Sequence, residues 1–168
     1  MVNINFFYTY MFDTVLIIYE GGTDMNKTTI KELNTLLKGE FMAVDGYGKY
    51  IQKLKGEDSN IVQEFQDIQS DHRKHIEKIS QRVQDLGGKP VKNTGMMGKM
   101  AEMYSSMKNM RKDKVEEVTK LAYEGENKGI KMAKEISKGD LDSGSATLIN
   151  EILSQDQKHL NTLKGYIH

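Results

Sequence analysis

The sequence contains no cysteine, and that absence removes disulfides, thiolate zinc sites and thiol catalysis together. It fits a reducing compartment, so the cytoplasm is the expected location. There is a single proline, Pro90, and little else to interrupt a helix. There is no excess of either charge, since 24 Lys and Arg offset 24 Asp and Glu. Nucleic-acid binding rests on neutralising phosphates with a basic field, so no nucleic acid is expected as a partner. No nucleophile elbow, phosphate-binding loop or Cys-His arrangement is present. Strand-like alternation is not sustained beyond the N-terminal segment. What remains is rich in Glu, Lys, Leu, Met and Gln, all good helix formers. A chain of 168 residues fits one domain with a real core, and the expected class is all-α.

Residues 1–24 differ in kind from the rest. Ile4 to Tyr19 is aromatic and β-branched, and the first basic residue of the chain is Lys27. A secretory signal needs a positive start and a small-residue cleavage site, and neither is there. A membrane span needs roughly 20 apolar residues, and Asp13 interrupts this shorter run, so no span is expected. Three readings stay open. The segment is an interfacial anchor, a β-prone tail, or an upstream stretch that native translation omits by starting at Met25. The last draws on Glu20-Gly21-Gly22, which a purine run resembling a bacterial ribosome-binding site can encode. The expected organisation is a leader over 1–24, disordered or outside the natural protein, and one helical domain over 25–168.

Within that domain the apolar periodicity predicts four long helices. Helix A covers Ile30 to Lys55, opened by a capping-box pattern at Thr29-Ile30-Lys31-Glu32. Its apolar seam reads Leu33, Leu37, Glu40, Val44, Tyr47, Ile51, Leu54. Helix B covers Ile61 to Leu86, with the seam Ile61, Phe65, Ile68, His72, His75, Ile79, Val83, Leu86. It stops at Gly87-Gly88, where glycine supplies the left-handed residue, and Pro90 prevents continuation. Helix C covers Lys114 to Ser137, with the seam Val115, Thr119, Ala122, Glu126, Gly129, Ala133, Ile136. Helix D covers Gly144 to Ile167, capped by Asp142 or Ser143, with the seam Ser145, Ile149, Ile152, Asp156, His159, Leu163, Tyr166. Short breaks join A to B and C to D. The B-to-C crossover, Val91 to Lys112, is too long for a hairpin turn. In it Met96, Met97, Met100, Met103, Met107 and Met110 recur at helical spacing, which predicts a short helix laid on the bundle. Those methionines cover the core, or form an adaptable partner surface, or make a thioether copper site, and nothing nearby supports copper.

The seams carry a second message. Glu40, His72, His75, Glu126, Asp156 and His159 occupy apolar positions near the middle of their helices. In an antiparallel bundle, midpoints meet, so six oxygen and imidazole donors are expected at one level. His72 and His75 stand at i, i+3, as do Asp156 and His159, so each pair points one way. Each half of the chain offers one Glu, then an x-x-His pair on the following helix. That is the plan of di-metal carboxylate bundles. Glu124 points to the other side of helix C. Buried unpaired, the six would cost several kcal/mol in total, roughly, which leaves a metal site or a hydrogen-bonded network.

Leu36 to Tyr47, Asp71 to Pro90, Leu121 to Ile136 and Leu153 to Leu163 resemble bacterioferritin-type and rubrerythrin-type sequences of the ferritin-like superfamily. Gly87-Gly88-Lys89-Pro90, the Asn93 to Lys108 crossover and Gly125-Glu126 resemble more nearly a group of uncharacterised bacterial ferritin-like bundles. The resemblance implies a ferritin-like four-helix bundle with a long B-to-C crossover. It implies a metal ion as partner, Fe first, with Mn or Zn as alternatives, and iron oxidation or peroxide chemistry. Two departures stand out. His72 replaces the Glu of the first Glu-x-x-His pair, and Asp156 is shorter than the Glu of the second. One bridging carboxylate is lost and the other shortened, so one ion is as well supported as two. In helix C, alignment with bacterioferritin selects Glu124, whereas the seam and the nearer group select Glu126, and the seam is preferred. The competing expectation is a non-enzymatic helical module with a metal-free polar network. It would work through the methionine-rich crossover or by self-association as a homodimer.

Overall fold

The computed structural model describes residues 4–93 and 115–167, with side chains from Met25 onward. Among the described residues there are four α-helices and no strand. They are α1 (Ile4–Lys53), α2 (Ser59–Asp85), α3 (Val115–Ile136) and α4 (Ser143–Lys164). No helix among the described residues is long and apolar enough to cross a membrane.

The helix ends follow local chemistry. Asp58 caps α2 by accepting from the Asn60 amide, and Asp142 caps α4 by accepting from the Gly144 and Ser145 amides. At the end of α2, Gly87 takes φ +76°, its amide donates to the Gln84 carbonyl, and the Gly88 amide donates to the Val83 carbonyl. This is the left-handed termination that only glycine adopts without strain. Gly88 is required for a different reason: a Cβ there would lie 2.8 Å from the Ile30 side chain. Asn34 fastens the chain that follows, donating to the Lys89 carbonyl and accepting from the Val91 amide.

Two expectations about the N-terminus are corrected. α1 does not begin at a Thr29 cap but runs through it, and Thr29 is wholly buried with no hydrogen-bond partner for its hydroxyl. A cap needs free first-turn amides, and here the preceding turn already supplies their carbonyl partners. The β-prone reading of the leader is overturned as well, because the backbone is helical from Ile4. The methionines at 96–110 lie outside the described residues.

Side-chain packing fixes the topology. One apolar group gathers Tyr47, Tyr50 and Leu54 of α1, Ile61, Phe65 and Ile68 of α2, Val118 and Ala122 of α3, and Leu163 of α4. The other gathers Leu33, Leu36 and Leu37, Ile79 and Val83, Ala133 and Ile136, and Ile149 and Ile152. The end of α1 therefore meets the starts of α2 and α3 and the end of α4. Both α2 and α3 start at the same end of the bundle, so the connection between them returns its whole length, on the order of 40 Å for a helix like α2. At the far end Arg82 ties α2 to the start of α4, donating from Nε to Ser145 Oγ and pairing with the Asp142 carboxylate. Each wholly buried Leu, Ile or Val in the two groups contributes roughly 1.5–3 kcal/mol. Between the groups lies a layer with almost no apolar side chain.

Candidate metal centre

That layer holds Glu40 from α1, His72 and His75 from α2, Glu126 from α3, and Asp156 and His159 from α4, each no more than 5% exposed. All six residues expected from the seams meet there, while Glu124 is exposed. Their convergence follows from placement near the middle of α2, α3 and α4, and in α1 between Leu37 of one apolar group and Tyr47 of the other.

His72 is the hub. Its Nδ1 lies 2.7 Å from Glu40 Oε2 and its Nε2 lies 2.9 Å from Glu126 Oε1. His75 Nδ1 lies 3.4 Å from Glu40 Oε2 and 3.7 Å from Asp156 Oδ1. His159 Nδ1 lies 3.7 Å from Asp156 Oδ1 and 3.8 Å from Glu126 Oε2. These last contacts are too long for hydrogen bonds. His75 Nδ1, Asp156 Oδ1 and His159 Nδ1 are buried with no hydrogen-bond partner in the chain.

The electrostatics match the geometry. Burial works against an imidazolium at His72, yet the Glu126 and Glu40 carboxylates outweigh it and hold the ring well above the usual histidine range. His159 is raised despite burial by the Glu126 carboxylate. Burial opposes ionisation of Glu126, but the His159 and His72 rings and the Tyr47 hydroxyl bring it down to about 2. Glu40 is lowered as well, because His72 and His75 overcome its burial. Asp156 goes the other way: burial first, then the Glu40 charge, push it up to about 7. The His72 and His75 rings pull Asp156 back only in part, so it is the carboxylate whose charge this layer tolerates least.

Four contributors were not foreseen. Tyr47, read as apolar, donates from its hydroxyl to Glu126 Oε1 at 2.7 Å. Burial and the Glu126 charge raise it well above the usual phenol value, so it remains a donor. Asp71 Oδ2 lies 3.2 Å from His159 Nε2. Gln155 donates to the same Asp71 oxygen at 2.7 Å, and Lys74 donates to the other. Asp71 directly precedes His72-x-x-His75, and Gln155 directly precedes Asp156-x-x-His159. That repeated polar neighbour was the available signal.

Two sets of side chains each bring their ligand atoms within 4.8 Å of one another: His72, Glu126, Asp156 and His159, and Glu40, His72 and His75. The orphaned nitrogen and oxygen atoms, the buried walls and a donor set of imidazole and carboxylate fit a divalent first-row metal.

Fold and layer together define a ferritin-like four-helix bundle with a His–carboxylate core. Residues 28–139 match the family described as Domain of unknown function (DUF2383), and the chain belongs to that family. No curated protein matches it. Among solved structures it is similar to a ferritin-like diiron-carboxylate protein from Bacillus anthracis, at 17% identity and TM-score 0.68, over 86% of this chain and 98% of that one. It is similar to the DPS protein from Vibrio cholerae, at 16% identity and TM-score 0.68, over 86% and 91% of the two chains. Rhodobacter capsulatus bacterioferritin, with a metal-free dinuclear site and heme iron, gives 17% identity and TM-score 0.65, over 82% and 81%.

Proposed function

We propose that the chain binds iron through the layer formed by Glu40, His72, His75, Glu126, Asp156 and His159, with iron oxidation or peroxide chemistry as its activity. Manganese and zinc are the other ions this donor set accepts. The observation that carries the reading is the trio of buried, unpartnered atoms, His75 Nδ1, Asp156 Oδ1 and His159 Nδ1, that border one space. An unsatisfied buried polar atom costs roughly 1–3 kcal/mol, and a cation in that space reverses the sign. Bound iron would supply one-electron redox chemistry. The chain supplies Glu40 and Glu126 held ionised, imidazoles aimed inward, and two apolar groups that exclude bulk water from above and below. Two of the similar structures are described as diiron-carboxylate proteins, which supports iron as the first ion to test.

The competing reading is a metal-free network in a non-enzymatic helical module. It is favoured by His72, whose two ring nitrogens both reach carboxylates without any ion. The discriminating experiment is the metal content of protein purified without chelator, together with melting temperatures in added Fe(II), Mn(II) and Zn(II). Binding to the folded state alone raises the melting temperature. Protein that holds no metal and does not respond to any of the three ions is the network protein. Iron oxidation is then read separately, from the rate of Fe(II) loss in air.

A further inference from the structure

We propose that the layer holds one ion rather than two. His72 Nε2, Glu126, Asp156 and His159 Nδ1 ligate it, and Glu40 and Asp71 stay outside the coordination shell as positioning residues. Each of the two accepts from the far ring nitrogen of one ligating histidine. The inference rests on the metal-binding reading above and goes beyond it by fixing ion number and the part played by each residue.

The argument starts from His72, which both candidate ligand sets need. A neutral imidazole has one lone pair and one N–H, so it serves one ion and donates from its other nitrogen. To serve both sets His72 would have to lose both protons, in a layer that lies against three carboxylates. The structure shows which nitrogen is committed. Nδ1 makes the shorter contact, 2.7 Å to Glu40 Oε2, and that hydrogen bond leaves Nε2 facing Glu126.

His159 repeats the arrangement with its nitrogens exchanged. Its Nε2 is 3.2 Å from Asp71, and Asp71 is itself held by Gln155 and Lys74. Its Nδ1 is left bare toward Asp156 and Glu126. Two carboxylate–histidine pairs thus aim one free nitrogen each at the same two carboxylates. Such outer carboxylates fix the tautomer and the ring plane of a metal-binding histidine.

The distances agree. Ligands about 2.1 Å from one ion are about 3.0–3.4 Å apart at octahedral or tetrahedral angles. His72 Nε2 to Glu126 is 2.9 Å, and His159 Nδ1 to Asp156 and to Glu126 are 3.7 and 3.8 Å, so small inward movements close the shell. Glu126 Oε1 faces both His72 Nε2 and the Tyr47 hydroxyl, and Oε2 lies on the His159 side. The four-ligand set also contains two of the three orphaned atoms of the layer. The third, His75 Nδ1, lies on the Glu40 side of the layer, 3.4 Å from Glu40 Oε2 and outside the four-ligand set.

Charge favours the same count. Two ligating carboxylates neutralise one divalent ion, and Glu40 stays paired with His72 and His75. Two divalent ions would share three carboxylates and crowd the His72 ring.

The test is a Mn(II) titration of the full chain, followed by equilibrium binding and electron paramagnetic resonance. Saturation at one ion per chain, with the hyperfine pattern of an isolated ion, is expected. Glu40→Ala and Asp71→Ala should each weaken binding about 10–100-fold while keeping one ion per chain. His75→Gln should also keep one. His72→Gln and His159→Gln should abolish binding at concentrations that saturate the unmutated chain, with circular dichroism confirming the helices. Saturation at two ions with an exchange-coupled signal, or a drop from two to one in Glu40→Ala or His75→Gln, overturns the proposal and leaves metal binding intact. A chain that binds no Mn(II), Fe(II) or Zn(II) overturns the metal reading itself. The stoichiometry of the unmutated chain decides between one and two ions even if a variant fails to fold.

Discussion

Tyr47 and Glu126 are 79 residues apart in sequence, and the tyrosine hydroxyl donates to the carboxylate at 2.7 Å inside the core. The bond joins α1 to α3 at the edge of the polar layer, and Tyr47 also packs edge-on against Tyr50 and Phe65. Tyr47→Phe keeps the ring packing and removes only the donor. A buried hydrogen bond to a charged group is worth about 1.5–3 kcal/mol, and that loss is expected by chemical denaturation. The Glu126 carboxyl should titrate higher in the variant, read by carboxyl-selective NMR. An unchanged denaturation midpoint would show that the hydroxyl contributes nothing.

Asp156 sets the pH dependence of the metal-free protein. Its carboxyl rises from 3.8 to about 7 on folding, so between those values the folded chain holds a proton the unfolded chain has released. Stability therefore falls as pH climbs through that window, by ~4 kcal/mol in all if the shift acts alone. His72 acts in the same sense. Its raised value gives stability that is full below 6.5 and lost as pH rises through the folded value. Glu126 and Asp71, both brought down to about 2, act oppositely, giving stability above their unfolded values that is lost toward pH 2. The metal-free bundle should be most stable at about pH 4–5, where the lowered carboxylates have ionised and Asp156 still keeps most of its proton. Asp156→Asn should flatten the alkaline side and raise the melting temperature at pH 8 by roughly 5–10 °C. It should also abolish metal-dependent stabilisation. A wild-type bundle more stable at pH 8 than at pH 5 would refute the assignment.

Gly88 sets the approach of the α2 terminus to α1. Gly88→Ala places a methyl 2.8 Å from Ile30 Cγ2, which is too close to α1's backbone to swing away. Overpacking of this kind costs roughly 1–3 kcal/mol. Ile30→Ala in the same chain should recover much of the loss, since it removes the colliding methyl. Two independent, additive losses in a double-mutant cycle would argue against the contact.

Removal of residues 1–24 tests the leader. All four seams begin at or after Leu33, and among the described side chains the fully buried members of the two apolar groups begin there too, with Ile30 packed against them. The shortened chain should keep its helical spectrum, less the lost residues, and melt within a few degrees of the full one. Starting at Met25 also frees the first-turn amides that Thr29 could then cap. A large drop in melting temperature would show that the leader packs on the bundle.

The seams of α2 and α4 were legible because both helices bury one narrow face. Every seam residue from Ile61 to Val83 and from Ser145 to Leu163 is buried. The reading of α1 was less complete. Leu36 and Tyr50 are buried, while Val44 and Ile51 of the seam are only half-buried. α1 packs against both α2 and α3, so its covered face is wider than a single stripe. The six donors could be placed at one level because a mid-helix position is a local property. Their hydrogen-bond partners could not, because Asp71 meets His159 across an interface that no spacing within one helix encodes. Thr29 fails for a related reason: its capping pattern is local, and what precedes it decides whether the pattern is used.

The return of the α2–α3 connection along the whole bundle has a kinetic consequence. α1 with α2, and α3 with α4, are hairpins joined by short turns, and each can form from contacts close in sequence. The polar layer is shared between them: Glu40, His72 and His75 come from the first hairpin, and Glu126, Asp156 and His159 from the second. The four-ligand set of His72, Glu126, Asp156 and His159 draws on both hairpins, so an ion held there finds its full shell only after the two have docked. Metal should therefore slow unfolding and leave the folding rate nearly unchanged, as an interaction made late in folding does. In a denaturant chevron the unfolding limb would move down with Mn(II) while the folding limb stays in place.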